Sequence, residues 1–213
     1  MEKKRIENEI ELSDVLKRNE IPYSIDANLL SGFDSYRLRS DVVKKIGFLL
    51  VTKEWVEDLS NAIGDKKCLE IMAGSGALSK TLKDKGTNVI ATDNFSWRKN
   101  ENGSSTESWT TDSGNHYCDI EQLDAVEAIK KYKDVDYILM SWAPYEDPIA
   151  TEVLKAMREY NPNAVLIYFG EGWGGCTAND EFFELVEEVE INGFDFVNVP
   201  SWYGINDTMI LYK

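Results

Sequence analysis

The chain has 213 residues, a net charge of −15 and three cysteines, a size that suits one domain burying roughly 70% of its unfolded surface. A surface this negative repels phosphate backbones, which disfavours nucleic acid as a partner. Cys68, Cys118 and Cys176 are too far apart for a CxxC metal or redox site, so we expect no metal, no disulfide framework and a reducing, cytoplasmic compartment.

The N-terminal region, residues 1–63, is predicted to form helices packed on a core domain of residues 64–213. It opens on MEKKRIENEIEL, which lacks the apolar stretch of an export signal, and no apolar run approaches the ~18 residues that cross a bilayer, so we expect no membrane partner. Apolar residues recur at helical spacing in three groups. The groups are Ile6, Ile10, Val15 and Leu16, then Val42, Val43, Ile46, Leu49 and Leu50, then Trp55, Val56, Leu59 and Ile63.

Residues 64–213 carry seven short apolar runs that are candidate strands. In order they are KKCLEIM, NVIAT, HYCDI, DYILM, AVLIYF, FDFVNV and TMILY. Segments mostly long enough for crossover helices separate the first five runs, which predicts a doubly wound, open parallel sheet. Only PSWYGIND joins the last two, so TMILY is predicted to run antiparallel beside FDFVNV. The expected fold class is α/β, with a mostly parallel seven-stranded sheet, an antiparallel last strand and preceding N-terminal helices.

The segment CLEIMAGSGALS reads as a strand, a glycine turn and a helix start. Gly74 and Gly76 would let backbone amides approach a ligand, and the helix N-terminus adds positive potential there. Glu70 would attract an ammonium group, and Asp93, at the end of the next run, would accept both hydroxyls of a ribose. The pattern predicts a nucleoside that carries an amino acid; two glycines that only tighten the turn are the alternative.

Two further features follow the second run. The polar stretch from Trp97 to Tyr117, with Trp109 inside it, predicts a long loop that is either a lid or an ordinary insertion. Asp119, at the end of HYCDI, would meet the amino group of an adenine, or would cap a helix beginning at Glu121.

LEIMAGSGALS, ATDN and CDI, in this order, resemble motif I, the acidic second-strand end and the adenine-contacting loop of class I S-adenosylmethionine-dependent methyltransferases. The resemblance covers residues 64–213 and implies a Rossmann-like methyltransferase fold with S-adenosylmethionine as cofactor. Where the family usually has a glycine the chain has Met72, so the turn must accommodate a side chain. The residues implied at the cofactor are Glu70, Met72, Ala73, Gly74, Ser75, Gly76, Asp93, Asn94, Asp119, Ile120 and Ser141.

The fourth run ends in SWAPY, which would lie at the carboxyl edge of the sheet, where ligands bind in such folds. Ala143, Pro144 and Tyr145 resemble the tail of the Asn-Pro-Pro-Tyr signature of amino-group methyltransferases. Trp142 stands where that signature has its polar residue, and Ser141 would supply one only by a one-residue shift, so nitrogen methylation stays open. Packing in the core or loop is the alternative role of Trp142 and Tyr145.

The fifth run is followed by FGEGWGGCTAND at the same edge. Trp173 would stack on a planar or cationic acceptor. Glu171 is a candidate general base or cation-binding group, His116 is a second candidate base, and Tyr145 completes the candidate catalytic residues. Solvation or capping is the alternative for Glu171, and a polar strand start the alternative for His116.

We therefore expect a methyltransferase acting on a small molecule or a protein side chain. The alternative is a non-catalytic S-adenosylmethionine-binding or interaction module, because Met72 and SWAPY depart from the family pattern. A nicotinamide-dependent oxidoreductase would need glycine or alanine three residues after Gly76, where the chain has Ser79.

Overall fold

A computed structural model describes residues 3–96 and 116–213. Its elements in chain order are β1 (Arg5–Ile6), α1 (Glu9–Lys17), β2 (Ser24–Ile25), α2 (Ala27–Leu30), α3 (Ser35–Lys45), α4 (Lys53–Ile63), β3 (Lys67–Ile71), α5 (Ala77–Asp84), β4 (Asn88–Asp93), β5 (Glu121–Gln122), α6 (Ala125–Lys131), β6 (Tyr137–Ser141), α7 (Ile149–Tyr160), β7 (Val165–Gly170), α8 (Asp180–Leu185), a 3-10 helix (Phe194–Phe196) and β8 (Thr208–Tyr212). The predicted loop at 97–117, with Trp97 and Trp109, lies outside the described residues except for its last two positions.

The central sheet has the strand order β5-β4-β3-β6-β7-β8. The first five strands are parallel, and β8 runs antiparallel beside β7. The chain therefore builds outward from β3 in one direction and then from β6 in the other, and the switch point lies between β3 and β6. The prediction of a mostly parallel α/β sheet with an antiparallel last strand is confirmed.

The predicted count of seven strands is wrong, because the described residues place six in this sheet. HYCDI is not a strand, since the N–H of Tyr117 bonds to the carbonyl of Ser75 in the glycine turn and strand pairing starts only at Glu121. The first three residues of FDFVNV form the 3-10 helix, in which Phe194 is buried and Phe196 is exposed, and the rest is neither helix nor strand. TMILY consequently pairs with β7, not with FDFVNV.

Side chains of the central strands alternate between two apolar cores, as the period of a strand requires. In β6, Tyr137 and Leu139 join a core with α1, α3, α4 and α5, whereas Ile138 and Met140 join a second core with α6, α7 and α8. Helices therefore cover both faces of the sheet. This double layer fixes the carboxyl ends of β3, β4 and β6 at one edge.

The N-terminal helices share the first of these cores. The predicted helix over Trp55 to Ile63 is confirmed in α4. The first predicted group of apolar residues does not coincide with the buried face of α1. Ile6 lies in β1 and Ile10 is 74% exposed, because α1 starts after its cap Asn8. The residues that α1 buries are Leu12, Val15 and Leu16. A division of the chain at residue 63 stays a prediction.

No helix in the described part of the chain combines the length and the apolar composition needed to span a bilayer.

Candidate functional site

The turn between β3 and α5 depends on glycine. Gly74 and Gly76 have φ angles of 56° and 74°, in the left-handed region that glycine adopts without a Cβ penalty. A Cβ on Gly76 would also lie 3.0 Å from both Cys118 Sγ and Ile120 Cδ1. The turn is closed by a hydrogen bond from the N–H of Gly76 to the carbonyl of Ala73, 2.8 Å long.

Two of the non-glycine residues in left-handed backbone directly follow strands at the same edge of the sheet. Met72, directly after β3, has a φ of 52°, and Trp142, directly after β6, has a φ of 49°. Such a conformation costs about 1–2 kcal/mol for a residue with a Cβ. Strained backbone of this kind concentrates at functional sites, so these two turns are candidates for ligand contact.

Asp93 connects the ends of β3 and β4. It is 3% exposed, and its carboxylate accepts hydrogen bonds from the N–H of Gly74 at 2.7 Å and of Phe95 at 2.6 Å. Asp93 therefore orders the turn, and it also lines the cavity described below.

Glu70 is a second buried carboxylate, 3% exposed, near the carboxyl end of β3. Its Oε2 accepts hydrogen bonds from the N–H of Ser79, at 3.0 Å, and from the Ser79 hydroxyl. Burial raises the pKa of Glu70 to about 7, and the bonds from Ser79 act against that rise. An ammonium group brought beside Glu70 would favour the ionised form.

A cavity of about 450 Å³ joins these groups, a volume typical of small-molecule sites. Its floor is the glycine turn with Glu70, and Asp93 and Asn94 form one side. Ser141, Trp142 and Pro144 form the opposite side, named here the acceptor wall. The roof consists of residues 43–49 together with Val51, and the Ser75 hydroxyl donates a hydrogen bond to the carbonyl of Ile46 in that roof.

Most of the residues singled out in the sequence meet in this cavity. They are Glu70, Met72, Ala73, Gly74, Ser75, Asp93, Asn94, His116, Ser141, Trp142 and Pro144. Gly76 does not line it but starts α5 beneath it, and Ala143 is buried in the second core. His116 is exposed and stacks on Phe95, with ring centroids 5.2 Å apart.

Asp119 and Ile120 lie outside this cavity. They line a separate groove together with Lys80 and Lys83. The reason is the late start of β5, which places Asp124 at the carboxyl end of the third parallel strand instead of Asp119. The helix-cap alternative also fails for Asp119, since α6 is capped by Asp124.

Three other predicted residues are also outside the cavity. Tyr145 and Trp173 are 59% and 64% exposed, and neither lines it. Glu171 is 6% exposed and is held by hydrogen bonds from the thiol of Cys176, at 2.7 Å, and from the N–H groups of Cys176 and Asn206, both at 2.9 Å. Burial opposes its ionisation, but these bonds outweigh burial and lower the pKa of Glu171, which makes it a weak base that joins two loops.

Sequence reasoning missed three parts of the site: the start of α6, the start of α7 with Asp147 and Ile149, and the roof. Asp124 and Ala125, at the start of α6, line the cavity, and the capping pattern of Asp124 was the available signal. The roof was missed entirely, although Lys44 and Phe48 belong to it. Nothing in its apolar spacing indicates that the end of α3 covers the glycine turn.

The roof and the acceptor wall meet in an aromatic contact. Phe48 stacks on Trp142 with ring centroids 5.1 Å apart and an interplanar angle of 17°. The guanidinium of Arg39 lies 5.7 Å and 5.5 Å from the centroids of these two rings, within the range of a cation–π interaction. In the described ranges 3–96 and 116–213, no group of three His, Cys, Asp or Glu side chains is placed to hold a metal ion.

No family model matches the chain, and no curated protein matches it. Among solved structures it is similar to a TehB-like SAM-dependent methyltransferase from Corynebacterium glutamicum (TM-score 0.48, 14% identity, 84% of this chain and 96% of that chain). It is also similar to TehB from Haemophilus influenzae (0.44, 15%, 82% and 66%) and to a mutant of MtNAS in complex with S-adenosylmethionine (0.47, 12%, 94% and 70%). Similarity this low carries no argument about activity, which depends on the residues of this chain.

Proposed function

We propose that the cavity binds S-adenosylmethionine and that the chain is a methyltransferase of the class I type. The observation that carries this proposal is that two buried carboxylates, Glu70 and Asp93, line one cavity on either side of a glycine turn. Asp93 accepts hydrogen bonds from the ribose hydroxyls, and Glu70 binds the ammonium of the methionine part. The amides of the turn lie between them, next to the N-terminus of α5.

The adenine lies toward the start of α6. One oxygen of Asp124 caps that helix through the N–H of Val126, at 2.9 Å, and its carboxylate can accept a second bond from the adenine amino group. Asp119 and Ile120 hold this role only if the groove that they line joins the cavity when a ligand is bound.

Methyl transfer from the sulfonium is an in-line displacement. A lone pair of the acceptor forms the new bond to the methyl carbon, while the sulfur keeps the electron pair of the old bond and becomes a thioether. The contribution of the chain is to place the acceptor against the acceptor wall, since positioning supplies much of the acceleration. The methyl acceptor is a small molecule or a protein side chain, and nitrogen is one of the atoms that could accept the methyl group.

Any acceptor that must lose a proton needs a base. Of the three candidate catalytic residues, His116 lines the cavity, whereas Tyr145 and Glu171 do not. We therefore assign His116 first among them. The exposed side chains of Tyr145 and Trp173 are assigned as contacts for a larger acceptor.

The second candidate function is a non-catalytic S-adenosylmethionine-binding module. It is favoured by Met72, whose side chain lines the cavity from a strained turn. Turnover with any methyl acceptor would exclude this candidate.

The test of the proposed function is a calorimetric titration with S-adenosylmethionine and S-adenosylhomocysteine. We expect saturable binding of both, and at least a tenfold loss of affinity in Asp93→Ala, equivalent to about 1.4 kcal/mol. The matched control is Asp195→Ala, because Asp195 is exposed and distant in sequence from the cavity residues. No binding at millimolar ligand, or equal affinity in Asp93→Ala, would contradict the proposal.

A further inference from the structure

Several buried polar atoms near the acceptor wall have no hydrogen-bond partner. They include both carboxylate oxygens of Asp207, the indole nitrogen of Trp142 and Nε of Arg39. Folded proteins pair the great majority of buried polar atoms, so an unpaired group of this kind requires an explanation. Here two N–H donors and a carboxylate acceptor, chemically complementary, are left unpaired.

The backbone around Asp207 is firmly held. The N–H of Asp207 bonds to the Ser201 hydroxyl at 3.1 Å, and the N–H of the preceding Asn206 bonds to Glu171 at 2.9 Å. The side chain of Asp207 is confined to a site that is 7% exposed. Because Asp207 is held in place, a new hydrogen-bond donor must move toward its carboxylate.

Trp142 is the residue placed to donate a hydrogen bond to Asp207. Burial raises the pKa of Asp207 to about 7; the neighbouring Trp142 N–H and, more weakly, the Arg39 guanidinium oppose this rise, while Glu171 adds to it. The sheet register supports this closeness, because Trp142 follows Ser141, which pairs with Phe169, and Asp207 precedes Thr208, which pairs with Gly170. The indole nitrogen and both Asp207 oxygens each lack a hydrogen-bond partner. Tyr168 is a further titratable group that faces Asp207.

Trp142 also touches the ligand space. It belongs to the cavity lining, whereas Asp207 does not. Its backbone is strained, with a φ of 49°, and its ring is held by the stack on Phe48. A ligand in the cavity would therefore contact a residue whose indole nitrogen lacks a hydrogen-bond partner.

We propose that Asp207 is a positioning residue for Trp142: when the cavity is filled, the indole N–H donates to the Asp207 carboxylate, and this bond fixes the acceptor wall. An acceptor that uses a fixed indole is planar or cationic, because such groups gain most from an aromatic face. The role of the ligand rests on the proposed function, but the coupling of the two residues does not.

The test uses the indole N–H signals of the ¹⁵N-labelled full chain, with the Trp142 signal assigned by its loss in Trp142→Phe. Saturating S-adenosylhomocysteine should move this signal downfield by more than any other indole signal. Asp207→Leu should abolish the movement, and Asp207→Asn, which keeps a carbonyl acceptor, should retain part of it. Calorimetry on the same samples reports whether the ligand is bound.

An unmoved Trp142 signal in ligand-saturated protein, or an unchanged movement in Asp207→Leu, would overturn the proposal. A second arm needs no ligand and so separates this proposal from failure of cofactor binding. Between pH 5.5 and 8.5 the Trp142 signal should titrate in the wild type and should not in Asp207→Asn. A signal that is flat in the wild type, or that titrates equally in the variant, would overturn the coupling itself.

Discussion

The carboxylate of Glu70 accepts a hydrogen bond from the backbone N–H of Ser79 at 3.0 Å, joining the end of β3 to the first turn of α5. The acid is buried on the cavity floor, and that burial raises its pKa to about 7. Near neutral pH a substantial part of Glu70 is therefore protonated until a cation enters the cavity. The ionisation of Glu70 should therefore make the affinity for the proposed ligand depend on pH.

The affinity for S-adenosylhomocysteine should rise with pH. Only the ionised form of Glu70 pairs with the ligand ammonium. With a pKa of about 7, the ionised fraction rises from about 3% at pH 5.5 to about 76% at pH 7.5, so the affinity should increase about 25-fold. Calorimetry across this range checks the slope. In Glu70→Gln the affinity should be weaker and flat, and a flat profile in the wild type would remove Glu70 from the ammonium site.

The unfolding free energy of the ligand-free chain should show the opposite trend at Glu70. A carboxyl group whose pKa is raised by folding binds more protons in the folded chain than in the unfolded chain, so its contribution falls as pH rises from about 4.5 to 7. Relative to Glu70→Gln, the wild type should lose about 2–3 kcal/mol over this window. Urea denaturation at pH 4.5 and 8 measures the difference, and a constant difference would show that Glu70 is not shifted.

The turn at Gly76 should not tolerate a side chain. Gly76→Ala adds a Cβ to left-handed backbone and places it 3.0 Å from Cys118 and Ile120. Gly86→Ala is the matched control, since Gly86, just after the end of the same helix α5, has a φ of 94° but no atom within 4 Å of the new Cβ. Urea denaturation should show a loss of about 1–2 kcal/mol for the control and a further ~1–3 kcal/mol for Gly76→Ala. Equal losses would mean that the groove residues do not pack on the turn.

Glu171 should contribute to stability through the two loops that it joins. Glu171→Ala leaves the N–H groups of Cys176 and Asn206 without their acceptor, which should cost about 1–3 kcal/mol in urea denaturation. Because folding lowers the pKa of Glu171, its contribution is present near neutral pH and is lost as pH falls through the folded-state pKa. Glu190→Ala is the control at an exposed position. A stable Glu171→Ala variant would reopen a catalytic role.

The parts of the site that were predictable are those encoded by local sequence. A strand, a glycine turn and an acid at the next strand end are contiguous patterns, so Glu70, Gly74 and Asp93 were placed together from the residues alone. The position of the third parallel strand was not predictable, because β5 has only two residues and is defined by their pairing with Thr92 and Asp93. This shift explains why Asp124 replaces Asp119 at the edge.

The roof and the directions of exposed side chains were beyond sequence reasoning for a different reason. Phe48 reaches Trp142 only because the N-terminal helices fold back on the sheet, a contact between residues 94 positions apart. Tyr145 was placed at the correct edge, but its side chain is exposed and does not line the cavity, whereas Asp147 and Ile149 after it do. Glu146, the residue after Tyr145, adopts a φ of 59°, which no spacing rule indicated.

The most direct test is a crystal structure of the chain soaked with S-adenosylhomocysteine. The two distances to measure are those from the ribose hydroxyls to the Asp93 carboxylate. We expect both ribose hydroxyls within about 3.2 Å of the Asp93 carboxylate, with the ligand amino group beside Glu70. A ligand bound elsewhere, or a cavity closed by Met72 and the roof with no room for the nucleoside, would contradict this expectation.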